Sequence, residues 1–236
     1  AYFYKKKIDL LFLIIGVSFF TFILVTLSNV NRPDAGLYHL PYISLLNENK
    51  IIIGSTNIHY RFGHTSLIQY LSAIYNNYLF KIEFINIPLA SIFSFYIFFI
   101  INQFLINLKK NSNEKTFIQF LIIIFSLYAF NRYSNYGNDA PIHIFYFILV
   151  TMFIEIKNIK KTELNEFYKV VIVSVFLLSL KPFMIIAFLL PIIIFYLNKE
   201  KIFLIKKKQF YLSMIFICLW LLKNFLVSGC FLFPIN

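Results

Sequence analysis

IDLLFLIIGVSFFTFILVTL, residues 8–27, stands directly behind Lys5-Lys6-Lys7, carries Asp9 as its only charge, and decides the class of this chain. In a helix such a run covers roughly 30 Å, the thickness of a bilayer's hydrocarbon core. The remainder repeats the pattern: of 236 residues 60% are hydrophobic, with a mean hydropathy of +0.75. One soluble core cannot hide that much apolar surface. Further spans read at 84–106, 116–130, 141–156, 168–180, 183–197 and 210–228. The expected fold is therefore all-α, a polytopic transmembrane helical bundle of about seven spans forming a single domain over 1–236. The third and fourth spans are short for a full crossing. The chain begins without Met and stops at Phe233-Pro234-Ile235-Asn236, just after an apolar span, so it reads as a fragment of something longer.

Between the first two spans lies the one long connection, 28–83. Leu67, Ile68, Leu71, Ile74, Tyr75 and Leu79 recur at helical spacing opposite Gln69, Ser72, Asn76 and Asn77. That pattern predicts an amphipathic helix on the membrane surface, capped by Thr65 or Ser66. A shorter helix starting at Pro41 and running through Leu46 is also expected. The fifth and sixth spans meet at Lys181-Pro182, where proline removes a backbone donor and restricts its predecessor, so a tight break is expected.

The net charge of +12 raises the question of nucleic acid, but the basic clusters sit between apolar spans. Topology and anionic lipid headgroups account for them, and no nucleic-acid partner is expected. With Lys5-Lys6-Lys7 held in the cytoplasm, alternate loops agree. Lys109, Lys110, Lys115, Lys157, Lys160, Lys161, Lys169, Lys199, Lys201 and Lys206-Lys207-Lys208 join the inner side; Arg32, Lys50, Arg61, Lys81, Arg132, Lys181 and Lys223 fall outside. The first span reads as an uncleaved anchor. Cys218 falls inside the last span and Cys230 beyond it, so no internal disulfide is expected.

This topology gathers chemistry on one face. Asp34 and Asp139, two of three aspartates, lie there with all four histidines, His39, His59, His64 and His143. The inner loops hold no histidine, and their acids read as solvated charge among lysines. Asp34 comes immediately after a span, where a carboxylate at the lipid–water boundary can meet a polar acceptor while an amphiphilic donor stays in the bilayer. Partial desolvation at that boundary would raise its proton affinity.

The run Asp34-Ala35-Gly36-Leu37-Tyr38-His39-Leu40-Pro41, followed by Asn57-Ile58-His59-Tyr60-Arg61-Phe62-Gly63 and Ser66, resembles bacterial polytopic proteins of the GT-C glycosyltransferase superfamily. Asn138-Asp139, Lys223-Asn224, Ser228-Gly229-Cys230 and Pro234 add to the likeness, which covers about residue 8 to the end. The resemblance implies a polyprenyl-phosphate-linked sugar donor and inverting transfer to a glycan, lipid or protein acceptor on the periplasmic face of a bacterial inner membrane. It also implies Asp34 as the catalytic base and Asp139 as a second active-site acid.

The chemistry can be followed from the residues as well. A polyprenyl-phosphate sugar carries its own leaving group, so the protein must orient an acceptor hydroxyl, take its proton and stabilise phosphate charge. Arg61, Arg132 and Lys181 are suited to the last task, guanidinium as a bidentate fork and ammonium as a point charge. Tyr38, His39, Asn57 and His59 complete the expected substrate-binding set. The two histidines have three roles open: binding phosphate, holding Asp34, or protonating the leaving group. His59 is favoured for phosphate because in an extended loop it would face the same side as Arg61. His64 is assigned to the start of the surface helix and His143 to the start of a span. No cofactor is required. A divalent metal on Asp34, His39, Asp139 and His143 has suitable ligand types, but their spacing matches no compact metal motif, so metal-free catalysis is preferred.

Two other classes stay open. A transporter or flippase of lipid-linked glycans would place ionisable groups near the midplane on broken helices; only Lys181-Pro182 favours it. A noncatalytic scaffold would need no aspartate in both outer loops.

Overall fold

A chain segment surrounded by hydrocarbon has only its own backbone to satisfy its amides, and long apolar runs therefore become helices. The computed structural model of the protein describes residues 2–28, 34–49, 51–64, 66–76, 79, 82–156, 163–198 and 208–233, and these are mostly helical, with no strand among them. Of the residues named above, Arg32, Lys50, Thr65, Asn77, Lys81, Lys157, Lys160, Lys161, Lys199, Lys201, Lys206, Lys207, Pro234, Ile235 and Asn236 lie outside that set, as do the side chains of Lys5, Lys6 and Lys7.

Among the described residues ten α-helices run in order: α1 (Tyr2–Thr26), α2 (Leu40–Asn49), α3 (Leu67–Ala73), α4 (Ile87–Lys109), α5 (Asn113–Tyr128), α6 (Phe130–Tyr133), α7 (Asp139–Glu155), α8 (Leu164–Leu180), α9 (Leu189–Leu197) and α10 (Lys208–Ser228). Among the described residues three stretches are long and apolar enough to cross a membrane: Ile8–Thr26, Phe84–Lys109 and Lys208–Ser228. The seven-span expectation is met only to that extent. The run 116–130 stops at Tyr128 and re-forms as α6, and 183–197 is a 3-10 turn, Pro182–Phe188, leading into the nine-residue α9. The break at Lys181 is present, with extended backbone at φ −159° and ψ 130°. Large apolar side chains face outward on the long helices, among them Phe12 and Phe19 on α1 and Leu219 on α10. Such contiguous exposure suits lipid and would be a liability in water.

Helix packing follows membrane rules. α1 lies along α4, which also meets α5 and α7, while α8 joins α7 to α9 and α10. Serine hydroxyls tie neighbours together: Ser94 Oγ donates to the Ser18 carbonyl at 2.8 Å, and Tyr96 and Ser126 share a bond of 2.6 Å. One core around Leu89, Phe93, Tyr96 and Ile144 joins α1, α4 and α7; another around Leu149, Val170, Leu177 and Ile194 joins α7, α8 and α9. Glu155, at the end of α7 and inside the expected span 141–156, is bound to side chains of α4 and α5. Its carboxylate accepts from buried Asn107 and from Gln119 Nε2 at 2.8 Å, and pairs with Lys115 at 3.5 Å.

The described residues of the 28–83 connection pack against the bundle, α3 meeting α4 and α8. α3 ends at Ala73, short of Leu79, and its supposed polar face is buried: Gln69 and Ser72 are 2% and 0% exposed, whereas Ile74 is 62% exposed. Both faces are therefore covered, Ile68 at 1% exposure on the apolar side and Gln69 on the polar side, where its amide bonds Ser66 and His39. Ser66 caps α3, with Gln69 Oε1 accepting its backbone N–H at 2.9 Å.

The same connection is stapled to the end of α10. Gly54 takes a left-handed φ of 67°, which lets its N–H donate to the Leu226 carbonyl at 2.9 Å, an acceptor left open by the end of the helix. Gly63 is closely covered, since a Cβ there would sit 2.7 Å from the Phe233 ring and from Thr56 Cγ2. Gly63→Val is expected to destabilise the protein by about 1–3 kcal/mol through overpacking. A thermal melt in detergent that leaves Tm unchanged would show that Phe233 moves aside freely.

Candidate active site

Asp34, Tyr38, His39, Arg61 and His64 from the first connection meet Arg132 and residues 135–140 from the second, and Lys181 from the helix break, around one cavity of about 430 Å³. Hydrogen bonds at the end of α1 start the convergence. Ser28 Oγ donates to the Ser134 carbonyl, and Asn86 Nδ2 donates to Ser28 Oγ at 3.2 Å. The chain therefore leaves α1 already beside the second loop.

Asp34 then opens a π-helical turn, Ala35–His39, whose wider ring is closed by Leu40 N–H donating to the Ala35 carbonyl. Pro41 explains the widening: it has no N–H to offer residue 37, and its ring would crowd that carbonyl in a regular α-helix. The helix thus begins before Pro41, at the candidate base itself, and runs to Asn49. The turn puts Asp34, Tyr38 and His39 on the cavity together. Asp34 is exposed, so the desolvation expected of it does not come from the protein. It forms no ion pair among the described residues.

Asp139 is in a different state. Arg132 Nη2 approaches one carboxylate oxygen at 3.2 Å and Lys181 Nζ the other at 3.4 Å. Burial pushes its proton affinity up, but Lys181 and Arg132 together outweigh that and hold the carboxyl below its usual range. Arg61 lies 5.3 Å from the Tyr38 ring centre, and burial followed by Asp34 raises the Tyr38 phenol against the pull of Arg61. His64, assigned from sequence to the start of α3, lines the cavity instead; burial, then Arg61 and Lys181, lowers its pKa.

His39 is 4% exposed and its protonation can be read from its neighbour. A backbone N–H can only donate, so Gln69 must present Oε1 to Ser66 and therefore Nε2 to His39 Nδ1, at 3.0 Å. His39 is thus a neutral imidazole with its proton on Nε2. Burial lowers its pKa to about 4, which removes the leaving-group-acid role and leaves it as a neutral donor. As pH falls from 6.5 toward 4 the unfolded chain gains a proton that folded His39 refuses, so stability declines across that window. Gln69→Glu is expected to reverse the tautomer, because a second carboxylate oxygen requires a donor at Nδ1, and to raise the His39 pKa. Imidazole nitrogen shifts in the NMR spectrum report both; shifts identical to wild type would refute the hydrogen-bond assignment.

Two expected residues, His59 and Asn57, stand elsewhere, while His143 sits at the start of α7 as expected. His59 Nδ1 accepts the Arg61 N–H at 3.2 Å and caps the 3-10 turn Tyr60–Gly63. The alternation argument fails because 60–63 is helical rather than extended, so His59 does not line the cavity and Arg61 does. Asn57 is exposed in the turn Ser55–Asn57, outside the cavity. His143 shares a hydrogen bond of 2.8 Å with Tyr133 Oη. The four proposed metal ligands consequently do not assemble, and among the described residues no three His, Cys, Asp or Glu side chains gather as a metal site. The residues missed from sequence are Gln69, Asn135 and Tyr136; Tyr136 is buried with its ring edge-on to His39 at 5.9 Å. The polar Asn135-Tyr136-Gly137-Asn138 run between apolar spans was the available signal.

A family model described as "Domain of unknown function (DUF8201)" matches residues 2–236. The chain belongs to the DUF8201 family. Neither the search of curated proteins nor that of solved structures gave a match. The DUF8201 match spans both loops and the helix break, so every group lining the cavity belongs to the family region.

Proposed function

We propose that this protein is an integral-membrane glycosyltransferase of the GT-C type. In this reading it moves a sugar, with inversion, from a polyprenyl-phosphate donor to a glycan, lipid or protein acceptor in cell-envelope assembly. The observation that carries the reading is the meeting of two aspartates and three cations, from connections far apart in sequence, around one cavity at one end of the helices. The two carboxylates differ as acid–base roles require: Asp34 is exposed and outside any described ion pair, Asp139 is clamped by cations.

Asp34 accepts the proton of the acceptor hydroxyl as its oxygen attacks the anomeric carbon. The bond from that carbon to the phosphate oxygen breaks, and its electron pair leaves on the polyprenyl phosphate. Arg61, Arg132 and Lys181 receive the negative charge. Neutral His39 and Asn138, whose buried Oδ1 has no hydrogen-bond partner among the described residues, are suited to sugar hydroxyls. The proposed setting is a bacterial inner membrane with the cavity facing the periplasm. Here α5, α7, α8 and the Pro182–Leu197 segment complete about seven crossings, at 16–17 residues the short end of what spans a bilayer. The Lys181-Pro182 break, the feature that favoured transport, finds a use in delivering Lys181 to Asp139.

Mass profiling of surface glycans tests this in a deletion strain carrying the full-length gene as wild type or Asp34→Asn at equal membrane levels. Loss of the same sugar in the deletion and in Asp34→Asn supports transfer. A normal profile with Asp34→Asn beside a defective deletion would turn the reading toward transport or scaffolding.

A further inference from the structure

A second cavity, of about 480 Å³, opens between the first connection and the last long helix and shares no lining residue with the candidate active site. Its walls are apolar: Leu46 and Ile74 on one side, Phe216 and Leu219 of α10 on the other. Leu219 and Ile74 are also exposed, so the groove is continuous with the surface that α10 turns to lipid. Into this setting α10 delivers Lys223, the one charged residue of the lining. Its ammonium stands 5.4 Å from the Tyr70 ring centre and 5.8 Å from that of Trp220. Lys223 is five residues before the end of α10 at Ser228, roughly 7–8 Å along the helix, the depth of a headgroup boundary.

A second donor waits beside it. Trp220 is 6% exposed, lines the same groove, and its indole Nε1 has no hydrogen-bond partner among the described residues. A buried indole N–H normally finds an acceptor. An ammonium and an indole N–H at the headgroup level of an apolar groove present two donors to an anionic oxygen and a dry wall to a hydrocarbon chain.

We propose that this groove is a binding site for an anionic phospholipid of the surrounding bilayer, its phosphate held by Lys223 and the Trp220 indole and its acyl chain laid between α10 and the first connection. Charge complementarity selects the anionic headgroup, since a zwitterionic lipid brings its own cation to a site already holding one. The site is independent of the transferase reading, and the bound lipid would brace the connection that carries Asp34 and Arg61.

Native mass spectrometry of the detergent-purified chain, titrated separately with phosphatidylglycerol and with phosphatidylcholine of identical acyl chains, tests it. Wild type is expected to retain phosphatidylglycerol about tenfold more tightly, the scale of one charge-assisted hydrogen bond. Lys223→Gln should erase that preference, Trp220→Phe should reduce it, and Lys109→Gln, at the far end of α4, should leave it intact. Equal retention of both lipids by wild type, no lipid retained, or a preference that survives Lys223→Gln would each overturn the proposal. Monodisperse elution of each variant keeps a folding defect from passing as a binding result.

Discussion

Asp34→Asn is expected to lower turnover by roughly 10²–10⁴-fold, the range of a lost general base, while Tm stays close to wild type and donor binding is not weakened. The asymmetry follows from surroundings. Asp34 is exposed and takes no part in an ion pair among the described residues, so an isosteric amide removes little folding energy. The amide cannot accept the acceptor's proton at neutral pH, so the chemical step alone suffers. Asp34→Glu is the companion: it keeps the base but lengthens the side chain on a π turn that sets its position, and recovery of part of the rate is expected. Single-turnover transfer with a polyprenyl-phosphate sugar measures all three proteins. Full turnover with Asp34→Asn would remove Asp34 as the base.

Asp139→Asn is expected to move binding and catalysis in opposite directions. Arg61, Arg132 and Lys181 against Asp34 and Asp139 leave the cavity one positive charge in excess, three minus two, with the lowered-pKa His39 and His64 neutral. Neutralising Asp139 makes that excess two, so an anionic donor should bind severalfold more tightly at low salt, and less so at high salt. The gain is modest because the Arg132–Asp139 pair is about half exposed and solvent already screens it. Turnover should nevertheless fall about 10–100-fold, since the carboxylate at 3.2 and 3.4 Å is what fixes both cations in position. The clamp holds through mildly acidic pH, because the folded carboxyl lies below the usual range, and opens as pH falls through that depressed value. Equilibrium binding of a non-transferable donor analogue, set beside turnover, separates the two effects. Weaker binding in Asp139→Asn would mean that the carboxylate holds the donor directly.

Local rules account for what could be read without coordinates. Hydropathy over twenty residues is a property of contiguous sequence, and so Ile8–Thr26 and Lys208–Ser228 stand out as helices able to cross a membrane. Proline acts on its immediate neighbours, which is why the break at Lys181 was legible. Asp34, Tyr38, Arg61, Arg132, Asp139 and Lys181 were identifiable as a set because polar groups confined to loops between apolar runs have few places to go.

What failed depended on partners distant in sequence. Gln69 and Ser72 looked like a solvated face because a helical pattern records polarity and cannot say whether the partner is water or protein; packing of α3 against the bundle turned them inward, and Gln69 became the residue that decides the proton on His39. His59 seemed a ligand because alternation assumes an extended chain, whereas the 3-10 turn at Tyr60–Gly63 makes it a cap. The pairing of Asp139 with both Arg132 and Lys181, and the groove that gathers Lys223, Tyr70 and Trp220, join helices and loops that only the folded bundle brings into contact. The sequence by itself determined which segments become helices and which residues carry charge between them, since both follow from near neighbours along the chain. Tertiary structure alone decided which of those charges meet, because ion pairs and hydrogen bonds act across a few ångströms of space whatever the separation in sequence.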